Sequence, residues 1–250
     1  MMGKLLKILD LEIKSYGYKE ILKTIVSCSS TRKYFSFLNI NAYIAVAARK
    51  DESLRNDLNQ FSALYSDGIG IYFASKFLYG RYGLAKRING TDLYYKILDL
   101  AEKNNYGLFF FGGTENAAMN LEANLRELYP KLIIKGVIAR KLCFDENILN
   151  EINSSNSDIL FLGLGTPYQE KWIVTFGKKT NIPIQIAAGS GIDFLSGVYK
   201  RAPEMLRKLG LEWLFRLFSE PKRLWKRYLL GIPHFVFLII KQKLFTKESL

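Results

Sequence analysis

The apolar and polar positions divide the chain into short, unbroken apolar runs separated by longer amphipathic stretches. Ile159 to Leu162 is continuously apolar, as expected of a strand covered on both faces, and Tyr34–Asn41, Phe61–Tyr65, Tyr106–Phe111, Leu132–Ile138 and Ile184–Ala188 are also predicted strands. Helical periodicity occupies 42–49, 69–79, 92–103, 115–129, 146–153 and the stretch from Thr166 through Lys178. The first 28 residues read as a short strand or extended segment and then a helix. Strand and helix alternate, which predicts an α/β fold with a largely parallel, doubly wound sheet.

The strand ends carry the candidate chemistry. Three of them run into glycine corners: Gly112 and Gly113; Gly163 and Gly165; and Gly189 to Gly191 with Asp193 just beyond. Thr166 is expected to cap the helix after the second corner, with Pro167 in its first turn and Gln169 at capping-box spacing, an arrangement that leaves backbone N–H groups for phosphate. Gln169, Glu170 and Lys171 are more polar than a turn requires, so they are candidates for ligand contact. Asn39 and Asn41 close an earlier strand, where they can bond a base, ribose or sugar, or cap the next helix. Asp67, followed by Gly68, is either a turn-and-cap residue or a carboxylate facing a cleft that accepts a proton from an incoming hydroxyl. In the segment Arg87–Asp92, Thr91 is the expected cap, leaving Arg87 free to meet phosphate or carboxylate.

Charge changes the picture toward the C-terminus. The chain has 36 basic and 23 acidic residues, net +13, and twelve Lys and Arg against four Glu from Val198 onward place +8 of it in the last fifth. Such a balance asks for a polyanionic partner. In the tail, Leu206, Leu209, Trp213 and Leu217 form one stripe over a helix expected to run from Glu204 to Ser219, and after Pro221 basic residues alternate with Leu224, Trp225, Tyr228 and Leu229. This describes a helix in the interface of an anionic membrane, and the apolar Phe235–Ile240 that follows favours lipid over nucleic acid. The run Leu229–Ile240 contains Gly231, Pro233 and His234 and falls short of the roughly 20 residues needed to cross a bilayer, so it is not expected to span. Residues 1–197 therefore read as the core and 198–250 as an appendage. Cys28 and Cys143 have no metal-ligand spacing and, with no apolar leader, suggest reducing cytoplasm. The single histidine, His234, excludes a histidine triad, and no Asp-x-Asp follows a strand, so phosphate charge should be met by N–H groups and arginine with no metal or other cofactor.

The residues alone describe a phosphate-binding α/β domain with a lipid-seeking tail. An inert nucleotide-binding module recruited to membrane or RNA fits them as well, whereas an oxidoreductase is disfavoured by the lack of a full Gly-x-Gly-x-x-Gly. A resemblance goes further. The DG at Asp67, RINGTD at Arg87–Asp92, FFFGG at Phe109–Gly113, GLGTPYQEKW at Gly163–Trp172 and the long block from Lys200 to Leu229 resemble the WecG/TagA/CpsF glycosyltransferases, in order. The resemblance implies a Rossmann-like core and metal-independent, inverting transfer of a sugar from a UDP-sugar to an undecaprenyl-diphosphate-linked acceptor in cell-envelope or exopolysaccharide synthesis. It also implies an appendage that brings arginines to the site and touches the inner face of the membrane. By position, Asp67 matches the base, Gln169 a substrate contact, and Asn41 the strand-end asparagine, while Asn39 stands where many members have Thr. Arg216, Arg223 and Arg227 fall in the appendage block, and one or more would neutralise the departing diphosphate. Tyr168 and Ala42 depart from the family's usual basic residue and proline. Tyr43, at a frequently acidic position, leaves the donor open among N-acetylmannosamine, its uronic acid, glucose and glucuronate. A tail this apolar can also pack on a second copy, giving a homo-oligomer.

Overall fold

The computed structural model describes residues 5–139 and 145–245, so Cys143 lies outside the described residues. The chain begins with an antiparallel hairpin, β1 (Leu5–Ile8) and β2 (Leu11–Lys14), where one strand or extended segment was expected, and continues into α1 (Tyr18–Ser30). Then come β3 (Phe35–Ile40), α2 (Ala42–Lys50), α3 (Glu52–Asn59), β4 (Ala63–Ser66), α4 (Gly68–Tyr79) and α5 (Gly90–Asn104). The second half alternates β5 (Gly107–Gly112), α6 (Glu115–Leu128), β6 (Ile133–Ile138), α7 (Glu146–Ser154), β7 (Ile159–Gly163), α8 (Tyr168–Phe176), β8 (Ile184–Ala187) and the short α9 (Gly191–Leu195). Among the described residues α10 (Glu204–Leu209), α11 (Glu212–Ser219), α12 (Pro221–Trp225) and α13 (Gly231–Phe245) follow.

The strands form one sheet in the order β1-β2-β4-β3-β8-β7-β5-β6, parallel everywhere except the hairpin. Side-chain alternation splits its strands between two cores. Leu38, Ile40, Leu64, Phe111 and Leu162 face α2, α3, α4 and α8, whereas Phe37, Tyr65, Phe110, Phe161 and Ile186 face α1, α5, α6 and α9. The helix after β3 thus lies on one face and the helix after β8, its neighbour in the sheet, on the other. Their diverging C-terminal ends open a crevice at the topological switch point, where open α/β sheets bind ligands.

Two expectations about the tail change. The predicted helix 204–219 is broken at Gly210, which has a positive φ of 77° and sits so close to the body that a Cβ would fall 2.4 Å from Ile69 Cδ1. The run Leu229–Ile240, read as too short to span, is part of a helix continuous from Pro221 to Phe245, 25 residues, with a π-helical turn at Lys226–Leu230. By length and composition alone that helix could cross a membrane. It is docked lengthwise on the body, however: Leu224, Phe235 and Ile239 are buried. Gln242 accepts a hydrogen bond from Leu9 N at 2.8 Å and donates to Lys7 O at 3.0 Å, and Lys243 Nζ reaches Leu78 O at 2.8 Å.

Candidate active site

The crevice is occupied by a cavity of about 1010 Å³, walled on one side by the ends of β3, β4 and β8 and on the other by the appendage. Asp67, at the start of α4, is the residue around which it closes. Its backbone N–H donates to Ile40 O at 2.7 Å, tying β4 to β3. Its side chain does not cap α4; Oδ1 instead accepts from Gly90 N, in the first turn of α5, at 2.9 Å. Glycine also leaves room beside this bond for Asn39, because a Cβ on Gly90 would stand 3.0 Å from Asn39 Nδ2. Removal from water pushes the Asp67 carboxyl up to about 6; the Gly90 N–H, Arg227 and Arg216 oppose the shift and the Glu212 charge adds to it.

The segment Arg87–Asp92 works differently from the expectation. Asn89, not Thr91, caps α5: its Oδ1 accepts from Asp92 N at 3.0 Å, and its Nδ2 donates to Glu212 Oε2 at 2.5 Å. Thr91 is buried inside the helix and lines the cavity. Arg87 also lines it, yet its Nη2 donates to Arg207 O at 2.6 Å, and Asp92 receives Arg201 at 2.5 Å and Arg207 at 3.2 Å. This segment is therefore the clasp that holds the appendage against the body, and Glu212 runs from the appendage to the helix end that touches Asp67. Asn89, Glu212 and Tyr94 were missed as site residues; an acid within the basic tail was the only sequence signal for Glu212.

Asn39 and Asn41 both reach the cavity. Asn41 caps α2, accepting from Ile44 N at 3.1 Å, as its cap reading anticipated. Asn39 is buried, with Nδ2 at 3.5 Å from the Tyr94 hydroxyl and Oδ1 without a partner. An orphaned buried amide oxygen at a cavity wall is a waiting acceptor for a ligand hydroxyl or N–H.

The glycine corners divide. Gly165 and the Gly189–Gly191 loop line the cavity, but Gly112, Gly113 and Gly163 do not. Gly113 N bonds Gly163 O at 3.0 Å, and a Cβ at Gly112 would fall 2.4 Å from the Gly163 carbonyl carbon, so this pair lets two strand ends pack. Asp193 accepts from Thr114 N at 3.0 Å and pins the same corner from outside the cavity. The predicted capping box is also absent. The α8 helix follows Pro167, and Thr166 donates its hydroxyl to Glu170 Oε1 at 2.8 Å while Gln169 N is taken by Gly165 O at 3.0 Å. Glu170 is fully buried behind the wall, where desolvation raises its pKa, and it fixes Gln169 by accepting from Nε2 at 3.0 Å. Gln169 Oε1 then receives Gly189 N at 2.9 Å, which joins the two corners that do line the cavity.

The positive charge comes from the appendage. Arg216 donates to Ser190 Oγ at 3.2 Å, lies over the Phe194 ring at 5.0 Å and keeps a buried Nε without a partner. Arg227 stacks on Tyr43 at 4.7 Å and has no carboxylate within 4.0 Å among the described residues; burial lowers its pKa from the ordinary arginine value. Arg223 also lines the cavity but is held by Glu220 at 2.6 Å.

A doubly wound sheet with a polar cavity at its switch point, lined by a half-buried carboxylate and facing arginines, makes this an α/β protein with a site suited to anionic ligands. The chain belongs to the glycosyl transferase WecG/TagA/CpsF family, whose profile matches residues 6–249. It is similar to the N-acetylglucosaminyldiphosphoundecaprenol N-acetyl-beta-D-mannosaminyltransferase of Bacillus subtilis (strain 168), 31% identical over 204 residues, covering 82% of this chain and 78% of the relative. The enzyme of the same name from Staphylococcus aureus (strain MW2) is 30% identical over 230 residues, 92% of this chain and 89% of the relative.

Proposed function

We propose that the protein is an inverting, metal-independent glycosyltransferase that moves a sugar from a UDP-sugar to a hydroxyl of an undecaprenyl-diphosphate-linked acceptor. The observation that carries this reading is the convergence in one cavity of Asp67 with Arg227, which has no carboxylate within 4.0 Å among the described residues, and with Arg216, whose Glu220 partner stands at 4.0 Å. The acceptor oxygen attacks the anomeric carbon, its proton passes to the Asp67 carboxylate, and the bond from that carbon to the diphosphate breaks. The electron pair stays on the UDP oxygen, where the arginines, not a metal, meet the charge. The printed activity of the two relatives supports the acceptor class and an N-acetylmannosamine-type donor, with a glucose- or glucuronate-type donor as the other candidates. Exposed Phe218, Trp225, Leu229, Leu230 and Phe237, set among the exposed Lys222 and Lys226, support docking of the appendage on the anionic inner face of the cell membrane, with residues 198–250 acting as the unit that closes the site.

The test is UDP release on mixing the protein with diphosphate-linked N-acetylglucosamine acceptor and a panel of UDP-sugars, with and without EDTA. Acceptor-dependent release from one donor, unchanged by EDTA, is the expected result. UDP-sugar binding with no release from any donor would instead leave an inert nucleotide-binding module. A base with a pKa of about 6 must be ionised to act, so kcat/KM should rise with pH through about 6. Glu212→Gln removes a charge that raises this pKa while keeping an acceptor for Asn89. Its acid limb should shift to lower pH, toward the ordinary carboxylate range, and an unmoved limb would separate Glu212 from the base.

A further inference from the structure

The cavity does not end at the polar groups. It continues between α4 and α13, where its walls become apolar: Ile69, Phe73 and Phe77 on one helix, Ile232, Val236 and Ile240 on the other. Each set recurs every fourth residue, so each makes one stripe along its helix, and eight residues of rise give both a length of roughly 12 Å. The helices run parallel. A Cβ on Gly70 would meet the Phe235 ring at 3.9 Å, and eight residues further along both helices Lys243 Nζ bonds Leu78 O at 2.8 Å. The stripes therefore start together beside the catalytic end, Ile69 two residues after Asp67 and Ile232 five residues after Arg227, and lead away from it.

These side chains are not filling a core. Phe73 is 59% exposed, Phe77 53%, Val236 48% and Ile240 44%, whereas Phe235 and Ile239, which secure α13 to the body, are nearly fully buried. We infer that this groove binds the first isoprene units of the acceptor's polyprenyl chain, so that lipid and diphosphate-sugar head are read by one continuous site. The assignment rests on the acceptor class proposed above. It follows from the continuity of the cavity: the two parallel apolar stripes open beside Asp67, the group that would receive the attacking hydroxyl's proton, so an acceptor with its sugar at that end has its prenyl chain directed into the groove, while Arg216 and Arg227 remain for the donor's diphosphate. An acyl chain of the bilayer or a second copy of the protein would have no reason to enter a groove whose inner end is the catalytic cavity.

The experiment compares, in detergent micelles, transfer to two acceptors with the same diphosphate-linked head, one on an undecaprenyl chain and one on an ethyl group. The wild type should prefer the undecaprenyl acceptor, and in a Phe73→Gln/Phe77→Gln variant the ratio of the two kcat/KM values should fall roughly ten-fold or more, because burial of two large apolar side chains against the chain is lost. Phe73→Leu/Phe77→Leu should restore most of the ratio. A Phe237→Gln variant, altered on the outer apolar face, should weaken sedimentation with anionic vesicles and leave the ratio unchanged. If the wild type turns over both acceptors with equal kcat/KM, or the Gln variant keeps the wild-type ratio, the groove does not bind the prenyl chain. A Gln variant that keeps the ratio but converts an oligomer to a monomer would assign the groove to a second copy. If the wild type transfers to neither acceptor with any UDP-sugar, it is the parent reading that fails.

Discussion

Asp67→Asn should reduce sugar transfer by roughly 10²- to 10⁴-fold, the range that a positioned general base contributes, while leaving the fold and donor binding in place. The asparagine can still accept from Gly90 N, so the bond that orients residue 67 survives and only the ability to take a proton is lost. The substitution also has a stability signature. The folded-state pKa of Asp67 lies above its ordinary value, at about 6, so the fold favours the protonated acid; that contribution is complete at low pH and is lost as pH rises through about 6. The variant has no such carboxyl to ionise. Compared with the wild type, its unfolding temperature should improve between pH 5 and pH 8, measured by thermal melts at both. A variant with wild-type turnover would remove Asp67 from the reaction.

Arg216→Ala and Arg227→Ala should each lower kcat by about 10²- to 10³-fold, the usual cost of removing one preorganised group that meets transition-state charge. Two consequences distinguish this from damage to the fold. Both arginines hold the Asp67 pKa down, so removing either should move the acid limb of the rate profile above about 6. Arg223→Ala should cost much less, because Glu220 already compensates that guanidinium at 2.6 Å. Lysine at 216 or 227 should restore part of the rate, limited by the loss of the planar fork that grips two oxygens. Equal losses at all three positions, with an unmoved acid limb, would assign the arginines to membrane or structural contacts instead.

The strands were legible in the sequence because a buried parallel strand must be apolar along its whole length, as Phe109–Phe111 and Ile159–Leu162 are, and the alternation with helices then fixes a parallel sheet. Asp67 and Gln169 stood out through motifs at strand ends. Local reasoning failed where a side chain had more than one partner within reach. Thr166 and Asp67 each sit where a cap is expected, yet Thr166 bonds Glu170 and Asp67 bonds Gly90, 23 residues away. Asn89 took the cap assigned to Thr91.

The sequence by itself determined the α/β class, the basic apolar tail and the set of residue types available for chemistry, because these depend on periodicity and composition over short spans. Tertiary structure decided which glycine corners face the cavity, which arginine is left without a carboxylate, and that Glu212 reaches the end of α5 beside Asp67. It also decided that α13 lies parallel to α4 and turns two unremarkable apolar stripes into a groove. The physical reason is that burial and groove formation depend on pairs of segments far apart in the chain, α5 with α11 and α4 with α13 among them, and no short window along the chain contains both members.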